Sequence, residues 1–498
     1  MTVVLDKPED LTFENICAVA YDSRRLQLSA RARTRVAEGR QCFEKLIDSG
    51  VPCYGVTTGL GKLSTVSLDP RARVELSSNI LRARAAATGG PMSKPIVRSM
   101  MMLKLGNIIS GLDGVTVELA DYLVNRLNDD WCPWVPRDGH GMAGDATAHS
   151  HCFQTLIGEG FCVGPTGERL SARQALTAAR VEPFQVQAKD GAALINGVAA
   201  SPAMAVHVAR EAESMMRLAT LSSACAVEAM AAPKDAFSKE VGLHSKEPGV
   251  TRTIETLGRL FTRSKIDAVS LQAAVSFRVI PQVHGFAYDA VTRVVDSVEA
   301  LAATFTGNPL MTESAFLSVG NFHAQHLVGA VEAATQGLIH VASLAERRIH
   351  RLLDGNATGL APQLAARPGL DAGLVVVHKA CVDHGARARM LAAPISVMTG
   401  ETSFGQEDYM SMAIPASERA LDALGHMRTI IAGELLVSAR ALDLRRQRPG
   451  EGVQHAHNWI RQLVPSLEID RPPGPDLDVL CDALADDSTR AELLGPSL

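Results

Sequence analysis

The chain contains the stretch Asp138-Gly139-His140-Gly141-Met142-Ala143-Gly144-Asp145 between segments of helical periodicity. Its closely spaced glycines predict a loop, because glycine interrupts helices and strands. Similar Gly- and Pro-rich stretches occur at 51–62, 89–95, 132–145, 305–310 and 394–406. Binding and catalytic residues are disproportionately found on loops that a rigid scaffold positions, so we expect the chemistry in these stretches.

Helix is the dominant periodicity. Between Ser29, a predicted N-cap, and Gly50, a predicted stop, apolar residues recur at helical intervals: Val36, Phe43, Leu46 and Ile47. Segments rich in Ala, Leu, Met and Val predict long helices at 200–232, 285–305, 323–353 and 409–446. The Pro-containing stretch 471–475 precedes a predicted C-terminal helix at 476–494. Strand-like alternation is scarce, so the predicted fold class is mainly α.

The composition is that of an ordinary globular protein. The 498 residues are 46% hydrophobic and 21% charged with a net charge of −5, which predicts no nucleic-acid or membrane partner. The N-terminal thirty residues lack a basic start followed by an apolar core, so we expect no signal peptide and a cytoplasmic location. Nine cysteines without a paired CxxC spacing predict reduced thiols.

Residues 138–160 resemble the active-site loop of the aromatic amino acid lyases, the superfamily of the histidine, phenylalanine and tyrosine ammonia lyases. In those enzymes an alanine-serine-glycine tripeptide cyclises and dehydrates to 4-methylideneimidazol-5-one, whose methylene comes from the serine. The corresponding residues here are Met142-Ala143-Gly144. Ala143 has no hydroxyl to lose, so this departure implies that no methylene forms and that the chain uses no organic cofactor.

Four further blocks carry the resemblance, in family order and at about family spacing. The first is Tyr54-Gly55-Val56-Thr57-Thr58-Gly59-Leu60-Gly61. The others are 194–197, then 276–285 preceded by Gln272, and finally 320–323 paired with 406–412. The resemblance therefore covers nearly the whole chain.

This resemblance implies an ammonia-lyase-like architecture. An N-terminal domain at 1–200 carries the Tyr54 loop and the Met142-Ala143-Gly144 loop. A central bundle of long helices follows at 201–470, and a helical tail at 471–498. Family members assemble as homotetramers with active sites at subunit interfaces, and we expect the same here.

The resemblance also implies a catalytic base and a carboxylate clamp. Tyr54 matches the family tyrosine that removes a proton from the β-carbon. Because an ordinary tyrosine has a pKa of about 10, this role requires nearby cations or hydrogen-bond donors. Arg278 matches the residue that holds the substrate carboxylate, a task suited to the forked donors of a guanidinium. The structural alternatives are a loop aromatic packed on the core for Tyr54 and a surface ion pair for Arg278.

Four more matches concern substrate binding. Asn196 and Gln272 match amides that hold the carboxylate or the amine, although both could instead cap buried backbone. Phe322 matches a residue that lines the pocket, although a lone aromatic is ordinarily core. Glu407 matches the position that contacts the substrate ring, where histidine lyases use a glutamate to bind imidazole. The alternative for Glu407 is a helix-start network beside Asp408.

Several departures put ordinary ammonia lyase activity in doubt. Besides Ala143, Val275 stands where the family has a second catalytic tyrosine, and it cannot donate a proton. Arg84 replaces a histidine found in histidine lyases. Arg387 and Arg389 lie in a segment where the family has serine-glutamate-asparagine-lysine, and whether they reach the pocket is left open.

A scaffold that keeps its base and its clamp but loses its electrophile suits a substrate whose leaving group is already activated. A quaternary nitrogen departs as neutral trimethylamine, so a base and orientation suffice. Val275 and Ala143 open space for the three methyl groups, and the cation can lie against Tyr409 or Phe322, because quaternary ammonium ions favour aromatic faces. Arg84 can face a sulfur on the far side of the ring.

The chain accordingly most resembles the ergothionases, the branch of this superfamily that eliminates trimethylamine from ergothioneine to leave thiourocanate. Three alternatives stay open: a lyase of unthiolated trimethylhistidine (hercynine), a conventional ammonia lyase or aminomutase, and a non-catalytic ligand-binding protein. A metal site at His140, His149 and His151 is not predicted, because no Cys or carboxylate triad accompanies them at ligand spacing.

Overall fold

The computed structural model describes residues 2–495 and divides into two compact units. The first unit runs to Val208 and adds Val294–Ala330 and Pro394–Glu418. The second comprises Ala209–Arg293, Val331–Ala393 and the chain from Arg419 onward. The domain limits at 200 and 470 stay predictions.

Within residues 2–495, helices account for most of the regular structure. In chain order they are α1 Phe13–Ala20, α2 Ala30–Asp48, α3 Pro70–Ala83, α4 Lys94–Ile109, α5 Val117–Asn128, α6 Ala146–Phe153, α7 Ala172–Ala179, α8 Asp190–Ile195, α9 Ala200–Met230, α10 Lys239–Leu243, α11 Pro248–Leu260, α12 Val275–Arg278, α13 Ile280–Ala303, α14 Gln325–Leu352, α15 Gly355–Thr358, α16 Val375–Met390, α17 Ala413–Leu444, α18 Glu451–Leu463, α19 Gly474–Ala485 and α20 Asp487–Leu494.

The strands are short and form four two-stranded sheets in the described chain. They are β1 Val3–Leu5, β2 Leu26–Leu28, β3 Thr88–Pro91, β4 Pro136–Asp138, β5 Phe161–Val163, β6 Arg169–Ser171, β7 Leu310–Met311 and β8 Phe316–Leu317. The pair β1/β2 is parallel, with Val3 opposite Leu26, and the other three pairs are antiparallel. The mainly α class is confirmed.

Most predicted helices are present with small shifts at their ends. The Ser29 hydroxyl caps α2 by accepting from the Ala32 amide at 3.0 Å. The four long segments are α9, α13, α14 and α17. Helix α13 starts earlier than predicted, because a proline such as Pro281 is tolerated in a first turn. Helix α17 starts later, because Met412 has a left-handed backbone (φ 58°) that a helix cannot continue through.

The single C-terminal helix predicted at 476–494 is wrong. The chain breaks at Asp486, whose backbone is extended (φ −84°, ψ 128°). Its carboxylate accepts a hydrogen bond from the Thr489 amide at 2.9 Å and caps α20. A short polar side chain that binds backbone N–H groups favours a helix start over a helix interior.

In the first unit, α4 forms the centre of the core. Its run Met100-Met101-Met102-Leu103 is apolar on all sides, and the helix is buried from Ile96 to Ile109, against α1, α2 and α5. Helices α3, α6 and α8 pack on one another. Their ends therefore bring together Arg84, the loop before Ala146, and Asn196.

Two helical stretches, Asp190–Met230 and Gln325–Leu352, are long and apolar enough to cross a membrane by length and composition. Their most apolar windows are 89% and 56% buried within the chain, as in core helices of folded proteins. All nine cysteines are free thiols.

Candidate active site

Glu407 links two loops of the first unit. Its Oε2 accepts a hydrogen bond from the Ala143 backbone amide at 3.1 Å, and its Oε1 accepts one from the Ser403 hydroxyl at 3.0 Å. The side chain is partly buried, and Ala143 is 9% exposed. The predicted ring-binding carboxylate thus lies directly against the residue that replaces the family serine.

The turn that carries Glu407 has an unusual backbone. Ser403, Phe404 and Gly405 are all left-handed, with φ of 55°, 55° and 81°. Non-glycine residues in this region cost on the order of 1 kcal/mol or more each. The turn is closed by a hydrogen bond from the Thr402 amide to the Glu407 carbonyl at 2.7 Å. This geometry directs Glu407 toward Ala143.

Tyr54 lies in the glycine-rich loop, as predicted. Its Oη accepts a hydrogen bond from the Gly61 amide at 2.6 Å, at the start of the 3-10 helix Gly61–Thr65. Gly55 and Gly61 have φ of 72° and 57°, which glycine adopts without steric cost. The hydrogen bond from Gly61 fixes the position of the phenol oxygen within the loop.

Arg84 follows the end of α3 and is partly buried. Burial lowers its pKa, and the attraction of Tyr54 and Glu407 opposes that effect. The guanidinium therefore lies within electrostatic reach of both the predicted base and the predicted ring-binding residue. Arginine remains charged in proteins, so it supplies a fixed positive charge there.

The Met142-Ala143-Gly144 loop is attached to the turn after α8 through Asp145. The Asp145 carboxylate accepts from the Ala199 and Ser201 amides at 3.0 and 2.7 Å. Its own amide donates to the Gly197 carbonyl at 3.1 Å. The loop and the turn at Asn196 are consequently held in one arrangement.

Asn196 and Phe322 lie close to this loop. The Asn196 Nδ2 donates to the Asn308 carbonyl at 2.9 Å, so one of its amide hydrogens has a protein partner. A Cβ built on Gly144 would lie 3.5 Å from the Phe322 Cβ, which places Phe322 against the loop. Asn308 contributes a backbone oxygen, for which the sequence contains no signal.

Tyr409 stacks on His323, with ring centroids 5.6 Å apart and an interplanar angle of 23°. Tyr409 is 55% exposed. Burial lowers the pKa of His323, which favours the neutral imidazole. The pair presents an aromatic face in the same unit as Glu407.

The remaining predicted site residues belong to the second unit. Arg278 is the last residue of α12, and its Nε donates to the Ala273 carbonyl at 3.1 Å. Val275 is the first residue of that helix, and Gln272 lies in the exposed loop before it. Arg387 and Arg389 form ion pairs with Asp383 at 2.8 Å and with Glu346 at 3.2 Å, also in this unit.

The three histidines considered as metal ligands have separate partners. His149 bonds the Ile195 carbonyl at 2.9 Å and accepts from the Ala199 amide at 3.2 Å. His151 accepts from the Ala87 amide at 3.0 Å, and His140 bonds the Pro136 carbonyl at 2.8 Å. Across residues 2–495, no three His, Cys, Asp or Glu side chains converge as metal ligands.

The residues at 142–144 do not fit the family's prosthetic group. Its methylene requires a β-hydroxyl at the middle position, and Ala143 ends at a methyl group. The hydrogen bond from the Ala143 amide to Glu407 uses a hydrogen that ring formation would remove.

Sequence reasoning missed two side chains beside the site. Ser403 holds Glu407 at 3.0 Å. Lys104 donates to the Asn196 carbonyl at 2.5 Å and is fully buried. A signal for Lys104 existed, because a lone lysine in the apolar run Met100–Leu105 predicts a buried cation that needs partners.

Known proteins match this chain over most of its length. A sequence model of the family described as aromatic amino acid lyase matches residues 11–462. A histidine ammonia-lyase of Deinococcus radiodurans is 32% identical over 484 residues, covering 95% of this chain and 92% of the relative. One from Anaeromyxobacter sp. (strain K) is 33% identical over 499 residues, with 96% and 97% covered.

Solved structures show the same fold. A tyrosine aminomutase from Streptomyces globisporus aligns with a TM-score of 0.93 at 26% identity, covering 99% of this chain and 98% of that one. An ergothionase from Treponema denticola, in complex with desmethyl-ergothioneine sulfonic acid, aligns with a TM-score of 0.94 at 24% identity, covering 98% and 99%. The ammonia-lyase-like fold expected from the sequence is confirmed.

Proposed function

Because the chain belongs to the aromatic amino acid lyase family, we propose that it is a carbon-nitrogen lyase that releases trimethylamine from a histidine betaine without an organic cofactor. Our first choice of substrate is ergothioneine, giving thiourocanate. The observation that carries the proposal is Ala143 in place of the family serine while Tyr54 and Arg278 match the family base and clamp, with Glu407 bonded to the Ala143 amide at 3.1 Å.

The proposed reaction is a β-elimination. The Tyr54 phenolate takes the proton from the β-carbon, and the electrons of that C–H bond form the new C=C bond. The Cα–N bond breaks, and its electrons leave with nitrogen as neutral trimethylamine. In this scheme the Tyr54 oxygen, which accepts from the Gly61 amide at 2.6 Å and lies within electrostatic reach of the Arg84 guanidinium, faces the β-carbon.

Glu407 would bind the imidazole ring of the substrate. The Ser403 hydroxyl and the Ala143 amide fix the position of its two oxygens, and each oxygen retains a lone pair for an imidazole N–H. The relatives named histidine ammonia-lyase, at 32% and 33% identity, support an imidazole substrate. Arg84 would stabilise a thiolate sulfur on the ring.

The carboxylate would be held by Arg278, with Asn196 and Gln272 contributing amide hydrogens. The cation would lie against Tyr409 or Phe322, in space widened by Val275 and Ala143. The exposed apolar side chains Leu271, Phe404 and Met390, at 94%, 92% and 79% exposure, support burial in a homotetramer. We propose a cytoplasmic enzyme with a small-molecule substrate and no metal.

Hercynine is the second candidate substrate. The observation that favours it is that the Arg84 charge already interacts with Tyr54 and Glu407, so it has a role that needs no sulfur.

The deciding experiment supplies purified protein with ergothioneine, hercynine and histidine and measures trimethylamine and ammonia. We expect trimethylamine from ergothioneine, with slower or no release from hercynine. Faster release from hercynine would select the second candidate. Ammonia from histidine with no trimethylamine from either betaine would refute the proposal, and tight betaine binding without turnover would indicate a non-catalytic binding protein.

A further inference from the structure

Lys104 is a fully buried lysine for which the proposed reaction has no direct use. It lies in the apolar helix α4, and its Nζ donates to the Asn196 carbonyl at 2.5 Å and to the Ala193 carbonyl at 3.2 Å. Both oxygens are at the C-terminal end of α8, where helix carbonyls lack partners within the helix. Burying an ammonium group is costly unless it is paired, so the buried Lys104 requires hydrogen-bond acceptors at this position.

The geometry points to Lys104 as a positioning residue for the substrate carboxylate, acting through Asn196. The inference rests on the proposed function, in which Asn196 donates to that carboxylate. The Asn196 backbone is held by Lys104 and its side chain by the Asn308 carbonyl at 2.9 Å. The remaining amide hydrogen of Asn196 is therefore fixed in direction.

The charge on Lys104 is set by several buried groups of the first unit. Burial lowers its pKa, Asp113, Asp145 and Cys152 oppose that effect, and Lys189 adds to the lowering, which leaves the pKa at about 8. His149, whose pKa is lowered well below normal by burial and also by Lys104, is neutral. Lys104 is charged at pH 7 and loses its proton as the pH rises through about 8.

The test compares Lys104→Met with Arg98→Met under the betaine assay. Arg98 is a matched control, because it is also buried in α4 and holds two backbone carbonyls, those of Leu127 at 2.9 Å and Val19 at 2.8 Å. We expect Lys104→Met to raise KM about tenfold or more with a smaller change in kcat. Arg98→Met is expected to lower the melting temperature without raising KM.

A double-mutant cycle with Asn196→Ala separates positioning from a general structural effect. If Lys104 acts through Asn196, Lys104→Met should change KM by less than about threefold in the Asn196→Ala background, because interacting residues are not additive. A full additional effect in that background would overturn the inference. An unchanged KM in folded Lys104→Met would do the same.

If Lys104→Met does not fold, the pH dependence of KM tests the inference instead. Wild-type KM should rise between pH 7 and pH 9, and Asn196→Ala should lack that rise. A wild-type KM that is constant over this range overturns the inference. Absence of trimethylamine release by the wild type would overturn the proposed function as well, whereas release with unaffected Lys104 variants would overturn the inference alone.

Discussion

At the scale of single residues, Arg84 connects two parts of the site, because its guanidinium interacts electrostatically with both Tyr54 and Glu407. Arg84→Met should raise KM for ergothioneine about tenfold more than KM for hercynine, since only the former offers a sulfur. Steady-state kinetics with both betaines measure the difference. Arg82→Met, in the last turn of α3 just before Arg84, is the matched control, because Arg82 is exposed and pairs with Glu159 at 3.3 Å. Equal effects on both substrates would remove the sulfur contact from the proposal.

Tyr54 provides the second test at this scale. Tyr54→Phe should abolish trimethylamine release and leave betaine affinity within about tenfold, because only the proton-accepting oxygen is lost. Calorimetric titration and the trimethylamine assay measure the two quantities. Tyr122→Phe is the control, since that hydroxyl bonds the Glu182 carbonyl at 2.9 Å, outside the residue set proposed for catalysis. Residual turnover near the wild-type rate would exclude Tyr54 as the base.

The sequence motifs predict which residues form the site, but not the partners of those residues. The Ala143 amide and Glu407 are 264 positions apart, and no periodicity connects them. The side-chain amide of Asn196 donates one hydrogen bond to the backbone oxygen of Asn308, and any residue at position 308 could supply that oxygen. Lys104 was detectable in principle, because a charge within an apolar run has to be paired.

At the scale of elements, hydrophobic periodicity predicted the long helices and local capping determined their ends. Ser29 was recognisable as a cap because a serine preceded the helical pattern, and the Ala32 amide bonds to it at 3.0 Å. The predicted C-terminal helix is interrupted at Asp486. The sequence does not show this interruption, because the helical periodicity continues on both sides of a one-residue break.

Ser29→Ala should lower the free energy of unfolding by about 1 kcal/mol, whereas Ser29→Thr should keep most of the stabilisation. Urea denaturation measures both, and equal losses would argue against capping.

The junction of α17 and α18 yields a pH prediction. Asp443 accepts from His457 at 2.7 Å and from Arg461 at 2.8 Å. Burial raises its pKa, but the hydrogen bonds from His457, Ser466 and Arg461 outweigh burial and lower the pKa to about 2. Its stabilisation is therefore present above pH 4 and lost as the pH falls toward 2.

Asp443→Asn should accordingly reduce stability at pH 7 by about 1–2 kcal/mol, allowing for solvent screening. Its stability should also fall less steeply than that of the wild type between pH 4 and pH 2. Thermal denaturation across this range measures both effects. Asp383→Asn, at an exposed ion pair with Arg387, is the control and should change little. Parallel pH profiles of Asp443→Asn and wild type would contradict the assignment.

At the scale of the whole molecule, the lack of a serine hydroxyl at position 143 predicts the mass of the intact protein. The intact protein should have the mass of its unmodified 53.0 kDa chain, with no loss of water from the 142–144 loop. Ala143→Ser tests the converse, and a methylidene group would then appear as dehydration and new ultraviolet absorbance. Loss of water from the wild-type chain would refute a cofactor-free mechanism.

The left-handed turn at 403–405 has a consequence for how the enzyme should be handled. Phe404 adopts an unfavourable backbone conformation and is 92% exposed, so its ring is scarcely covered within the described chain. If neighbouring copies cover that ring, specific activity should decline on dilution as subunits separate and Glu407 loses its alignment. Rates measured at nanomolar and micromolar enzyme would then differ per subunit, and crowding or cross-linking would restore the lost fraction.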